Sequence, residues 1–279
     1  MNFLTVLTLK VSFRLESRAL GAESLSSINI LTLHIYKTES FLGYLQENFL
    51  KRVQDNAYPG RGVMMGQSDS GEVIQLYWIM GRSANSRNRV FEAEGNVLRT
   101  KAADPSAMKD PSLVIYEAML EHGDHYIMSN GDQTRTIYQS LQHGADGFEK
   151  GLICRDREPD GPNYTPRITG MVTLTRGVPF YRFAILKANE ADPSLSDRNF
   201  FYREKIKSGQ GLLLTTYEQD GSPLPSFSGE PVAMPLSGSP ETMLETYWDA
   251  LDVDNKISLA IKVISPKDGS SRLLLKNRN

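Results

Sequence analysis

The chain has 279 residues, and its 31 Lys and Arg stand against 33 Asp and Glu for a formal net charge of −2. That balance excludes the global positive field that draws a protein to nucleic acid or anionic lipid, and 40% hydrophobic with 23% charged residues is an ordinary soluble, globular composition. A single cysteine, Cys154, excludes an intrachain disulfide and a cysteine-rich zinc site and points to a reducing cytoplasm, and no run reaches the ~18 apolar residues of a membrane helix.

The first residues, Met1 to Leu9, are apolar, but no basic residue precedes them and Lys10 follows, the reverse of a secretory signal. Residues 1–40 read as an appended arm or an overextended start, leaving 41–279 as one domain. Helical spacing of Phe41, Leu45, Phe49 and Leu50 predicts a helix over Ser40–Gln54. Turn residues Tyr58-Pro59-Gly60-Arg61-Gly62 then open two strands, Val63–Gly66 and Val73–Met80. A second hairpin pairs Val90–Ala93 with Val97–Lys101. Asp110 as N-cap, Pro111 at the first helical position and Leu113, Tyr116 and Leu120 at helical spacing predict a helix ending at Gly123.

Tyr126–Met128 reads as a short strand, followed by a helix over Thr134–Gln142 that Gly144 stops. Prolines 159, 162 and 166 exclude helix across Arg157–Arg167. Ile168–Thr175 and Pro179–Leu186 form a hairpin, Leu212–Tyr217 a strand, and Ser239-Pro240 opens a helix carrying Met243, Leu244, Tyr247, Trp248 and Leu251 on one face. Ile257–Ile264 and Arg272–Leu275 close the chain as a hairpin. Many hairpins with a few interspersed helices indicate an α+β fold with largely antiparallel sheets.

Several chemistries are set aside. The chain has no Walker loop, no GxGxxG fingerprint and no GxSxG elbow. His34, His122, His125 and His143 show no metal-ligand spacing, and Cys154 beside Leu152 and Ile153 reads as a small buried apolar residue. Five polar segments remain. In Tyr58–Gly62, two glycines either let backbone approach a ligand or simply make a turn. Arg82-Ser83-Ala84-Asn85-Ser86-Arg87-Asn88-Arg89 packs three guanidinium groups into eight residues. Such planar forks suit a phosphate or carboxylate, the alternative being a solvated hairpin end. Tyr116 is either a functional phenol or a core tyrosine. Ser129-Asn130-Gly131-Asp132 is either a hairpin turn or, because a helix follows, a helix start whose free N–H groups face an anion. Glu158, between Arg157 and Pro159, is an acid/base candidate or a solvated carboxylate.

In this order the segments resemble the archaeal-type IMP cyclohydrolase family and its bacterial relatives. The matching residues are Tyr58-Pro59-Gly60-Arg61, Gly81-Arg82-Ser83 through Arg87, Tyr116, Ser129-Asn130-Gly131, Glu158 to Asp160, Asn163-Tyr164-Thr165-Pro166-Arg167-Ile168 and Leu214-Thr215-Thr216-Tyr217. The resemblance implies closure of the purine six-membered ring of 5-formamidoimidazole-4-carboxamide ribonucleotide, giving inosine monophosphate and water. It implies a four-layer αββα sandwich similar to N-terminal-nucleophile hydrolases, though without their nucleophile. Arg87, Tyr116 and Glu158 would be the catalytic set, and Arg61, Arg82, Ser129, Asn130, Gly131, Asn163 and Arg167 would bind the substrate. No cofactor, metal, nucleic acid or membrane is expected, and the likeness favours a cytoplasmic homo-oligomer. The rival readings are a purine-nucleotide-binding module without turnover and an amide hydrolase or acyltransferase on the same sandwich.

Overall fold

The computed structural model describes residues 38–108, 110–144 and 146–278. The expectations for the N-terminal arm, its apolar start included, lie outside the described residues. Leu45–Asn279 forms one compact unit.

Six strands, β1 (Gly62–Gln67), β2 (Val73–Met80), β10 (Gln210–Thr215), β11 (Val232–Pro235), β12 (Lys256–Ile264) and β13 (Ser271–Asn277), make one sheet in the order β11-β10-β1-β2-β12-β13. A second sheet keeps chain order through β3 (Val90–Glu94), β4 (Val97–Lys101), β5 (Glu117–His122), β6 (His125–Ser129), β7 (Arg167–Thr175), β8 (Val178–Ala188) and β9 (Ser196–Arg203). Neighbouring strands run antiparallel in both. The α+β expectation holds.

Strand β2 shows why the sheets pack as they do. All eight of its residues are buried, and the strand period of two divides them between two cores. Val73, Tyr77 and Ile79 join Met128, Ile168, Val172 and Phe183 of the second sheet. Ile74, Leu76, Trp78 and Met80 face the other way. Gln75, on the inter-sheet side, donates its amide N–H to the Tyr126 carbonyl at 2.9 Å. A side chain on an odd-numbered residue of β2 therefore meets the opposite sheet.

The helices cover the outer faces. Residues 38–49 are helical (α1) and run into a π-helical turn, Leu50–Gln54. Phe49 and Val53 pack on the outer side of the first sheet beside Met243, Leu244, Tyr247 and Trp248. Those four belong to α5 (Pro240–Ala250), whose start matches the sequence reading. Ser239 is the N-cap, its side chain accepts from the Thr242 N–H, and Pro240 follows. On the second sheet, Ile137 and Leu141 of α3 (Gln133–Leu141) and Phe148 and Leu152 of α4 (Gly147–Ile153) cover Leu120, Ile127, Met171 and Leu186. Each buried side chain of this size contributes roughly 1.5–3 kcal/mol. The single turn α2 (Ala84–Arg87) holds part of the arginine cluster.

Two expectations are corrected. No helix spans residues 110–123. Asp110 caps a single turn by accepting the Ser112 N–H at 2.9 Å, and Glu117–His122 is strand β5, joined to β6 by a turn in which Gly123 has φ +55. Ala118, Met119 and Leu120 are buried consecutively, so the strand shows no polar alternation and its apolar positions fall at helical spacing by accident. Cys154 is exposed, not buried. The inward face of α4 is spent on Phe148 and Leu152, four residues apart, which turns Ile153 and Cys154 outward. His122 and His125 face each other across the β5–β6 hairpin and not at a helix end.

Candidate active site

The loop before β1 is pinned from two sides. The Gly60 carbonyl accepts from Trp78 Nε1 at 3.0 Å, and the Arg61 N–H donates to Thr216 Oγ1 at 3.0 Å. Gly60 has φ +72, and a Cβ there would lie 2.1 Å from Thr216 Oγ1; at Gly62 it would lie 2.1 Å from the Trp78 ring. These glycines make room for neighbouring side chains of the protein itself, the Thr216 hydroxyl and the Trp78 ring. The result is a fixed launch point for the Arg61 side chain.

Arg61 Nη2 donates to both carboxylate oxygens of Glu158, at 2.8 and 2.9 Å. Glu158 is 2% exposed, and its place is set by the proline-punctuated loop. Its N–H bonds the Thr165 carbonyl at 3.0 Å, and Asp160 closes the loop by accepting the Thr165 N–H at 2.7 Å. Burial raises Glu158 above the usual carboxylate range, against the pull of the Arg61 charge. Burial also works against the charge of Arg61, but Glu158, with Tyr116, Tyr217 and Tyr77 behind it, outweighs that and keeps the guanidinium protonated.

Three phenols surround this pair. The hydroxyl oxygens of Tyr77, on β2, and Tyr116, just before β5, lie 2.6 Å apart. Burial, then the neighbouring Tyr116, pushes Tyr77 well above the ordinary phenol range. Tyr217 lies 2.6 Å from Thr165 Oγ1, and burial pushes it up to about 12 against the pull of Arg61. The Thr165 hydroxyl bonds Asp160, so the proton between Thr165 and Tyr217 comes from the phenol. Tyr58 stacks on Tyr217 with ring centroids 6.0 Å apart, and the Arg82 guanidinium lies 4.9 Å above the Tyr58 ring.

The arginine cluster divides three ways. Arg82 pairs with Asp220 and donates to the Gly221 carbonyl at 3.1 Å. Arg87 is exposed, donates through Nε to the Gly81 carbonyl at 2.9 Å and reaches Asn255 at 3.3 Å. Asn255 in turn bonds the Ala57 carbonyl, one residue from Tyr58. Arg89 is 1% exposed and donates to the Met80 carbonyl, leaving Nε and Nη1 without partners. Among the described residues, neither Arg87 nor Arg89 has an acidic partner, so the local positive potential comes from these two.

The Ser129–Asp132 segment does lead into a helix, but its polar groups are largely spent on the fold. Asn130 accepts from Ile168 N–H at 2.8 Å and Gln133 Nε2 at 2.9 Å, and donates to the Pro166 carbonyl at 2.9 Å. Ser129 bonds the Gly131 carbonyl and Thr134. Arg167 Nη1 bonds Asp132 at 2.7 Å and Gln133 at 2.9 Å, and Arg155 pairs with the same Asp132. Gly131 is needed here, because a Cβ would sit 2.9 Å from Arg167 Nη1. Asn163 accepts from the Leu224 N–H at 3.1 Å.

The structure thus brings Arg61, Tyr116 and Glu158 into one cluster, with Arg82 stacked at its rim. Arg167 acts electrostatically on Glu158. Arg87 makes none of these contacts directly. Sequence reasoning missed Tyr77 as a site residue, because a tyrosine inside Leu76–Met80 carries no mark of what it meets. A cavity of about 360 Å³ lies nearby, lined by Lys51, Arg52, Asp55, Glu218 and Asp220 among others. Its three carboxylates outnumber its two cations, which makes it a poor seat for a phosphate.

The family model described as IMP cyclohydrolase-like protein matches residues 58–269. Among curated proteins, an IMP cyclohydrolase of Methanothrix thermoacetophila is 27% identical over 192 residues, 66% of this chain and 87% of the relative. Two more relatives of that name are each 27% identical. The Methanopyrus kandleri protein aligns over 57% of this chain and 75% of its own length, the Haloquadratum walsbyi protein over 50% and 69%.

Proposed function

We propose that this chain, which belongs to the IMP cyclohydrolase-like family, closes the six-membered ring of a formamidoimidazole carboxamide nucleotide to give inosine monophosphate and water. The observation that carries the reading is the Arg61–Glu158 pair set against the Tyr77–Tyr116 phenols between the two sheets. In this reaction a carboxamide nitrogen attacks a formyl carbon. Amide nitrogen is a weak nucleophile because its lone pair is delocalised, so the site must orient the formyl group, take a proton from nitrogen and supply one to oxygen. Orientation lowers the barrier by several kcal/mol, and each proton transfer is worth ~10²-fold or more.

Glu158 suits the base. Both its oxygens accept from Arg61, as an ionised carboxylate does, and burial has raised its proton affinity above that of an ordinary carboxylate. Tyr116 suits the acid at the formyl oxygen. Arg87, whose charge no carboxylate among the described residues balances, steadies negative charge on a reacting carbonyl or on the phosphate. Arg61, Arg82 and Arg167 orient carbonyls and phosphate, and Ser129, Asn130, Gly131 and Asn163 shape the wall behind them. Helices on the outer faces of both sheets support a four-layer αββα sandwich similar to N-terminal-nucleophile hydrolases. The same reading makes the active form a cytoplasmic homo-oligomer. The test is direct: purified protein converts the formamido nucleotide to inosine monophosphate, followed optically as the purine chromophore appears, without folate or added metal. No purine chromophore with fully folded protein overturns the reading.

A further inference from the structure

Tyr77 is fully buried, and its hydroxyl has one hydrogen-bond partner among the described residues, the hydroxyl of Tyr116. Two phenols share a single bond, so one donates and the other keeps a proton that must find an acceptor elsewhere. Were Tyr116 the donor, the Tyr77 proton would be left in the inter-sheet core beside Phe91 with no acceptor among the described residues, an arrangement that costs free energy. Tyr116 is 7% exposed and sits near Arg61, the partner of Glu158, where a substrate atom can accept its proton. The asymmetry of burial favours Tyr77 as the donor of the bond.

We infer that Tyr77 is a positioning residue for ring closure: it donates its hydroxyl proton to Tyr116, so that Tyr116 presents its own proton to the formyl oxygen. This rests on the function proposed above. The proton count closes over the cycle. As the C–N bond forms, Tyr116 protonates the formyl oxygen and Glu158 takes a proton from the carboxamide nitrogen. The Tyr77 hydroxyl and the charge of Arg61 then face the Tyr116 phenolate. As the C–O bond breaks, Glu158 returns its proton to the departing hydroxyl, which leaves as water, and the former formamido nitrogen gives its proton to Tyr116. Both groups end as they began.

The experiment is a double-substitution cycle on the full chain, with Tyr77→Phe, Tyr116→Phe and the pair, measuring kcat and KM separately. Tyr77→Phe lowers kcat about 10-fold and leaves KM within about twofold. In the Tyr116→Phe background, which is down about 100-fold, adding Tyr77→Phe costs less than about twofold, because the group that Tyr77 serves is gone. Losses that multiply, to about 1,000-fold in the pair, mean Tyr77 acts on the fold at large and overturn the inference; so does an unchanged kcat in Tyr77→Phe. If Tyr77→Phe does not fold, Tyr77→Met fills the space without a hydroxyl and carries the same expectations. A wild-type chain that closes no ring overturns the functional reading, and this inference with it, which is a different result from multiplying losses in active variants.

Discussion

Two buried ion pairs, built on opposite principles, divide the molecule into scaffold and site. On β12, Lys262 is fully buried and pairs with Glu121 of β5 at 2.6 Å, with the Asn96 carbonyl at 2.7 Å as a second acceptor. Glu121 is held in turn by Ser271 at 2.5 Å and by Asn96 Nδ2 at 3.2 Å. Burial lowers Lys262, and the glutamate resists that shift. The pair stitches the two sheets together, and its hydrogen-bonding capacity is close to exhausted. Arg61–Glu158 is as deeply placed, but among the described residues Arg61 Nε has no hydrogen-bond partner and one nitrogen, Nη2, makes both bonds to the carboxylate. Phenols, not carbonyls, complete its surroundings. Polar capacity left over in a buried place is costly to the fold, and a site that must receive a polar substrate is where such capacity has a use.

That contrast can be broken by substitution. Glu121→Ala leaves the Lys262 charge with one carbonyl and lowers the unfolding free energy by about 3 kcal/mol in denaturant titration, whereas the double replacement Glu121→Leu with Lys262→Met, which exchanges the whole pair for apolar bulk, stays near neutral. Equal losses in both would show that the pair itself stabilises the fold. At the site the loss falls on turnover. Glu158→Gln and Tyr116→Phe each lower kcat about 100-fold while the protein stays folded, and full activity in both would remove the site from the argument. Because burial raises Glu158 and the base works ionised, the wild-type rate falls on the acid side at a pH above the ordinary glutamate range. Glu158→Gln removes that limb of the pH–rate profile. Arg82→Ala, which strips the guanidinium from the Tyr58 ring, raises KM about 10-fold with kcat little changed. Least is expected from the scaffold's edge: Ser239→Ala removes the cap of α5 and costs about 1 kcal/mol in thermal or denaturant unfolding, with kinetics unmoved.

The hairpins, the capped helix at Ser239-Pro240 and the candidate arginines were legible in the sequence because turn chemistry and caps are local. Glu158 stood out for the same reason, in a loop that prolines keep from being helix. Reading failed where burial on both sides erased the strand period, at Ala118–Leu120, and where the inward face of a helix had to be known, at Cys154. It also passed over α4, β9, β11 and the one-turn helix at Ala84–Arg87, which are short or carry little periodicity of their own.

The sequence by itself determined which polar residues were available and in what local frames, since caps, glycine turns and prolines act over a few residues. Tertiary structure alone decided which of them meet. Tyr77 and Tyr116 are 39 residues apart and Arg61 and Glu158 are 97, and what joins them is how the two stacked sheets face each other, which brings Tyr77 of β2 to the loops that carry Arg61, Tyr116 and Glu158. Facing of that kind depends on sheet order and register, and a linear pattern buried on both faces does not record it.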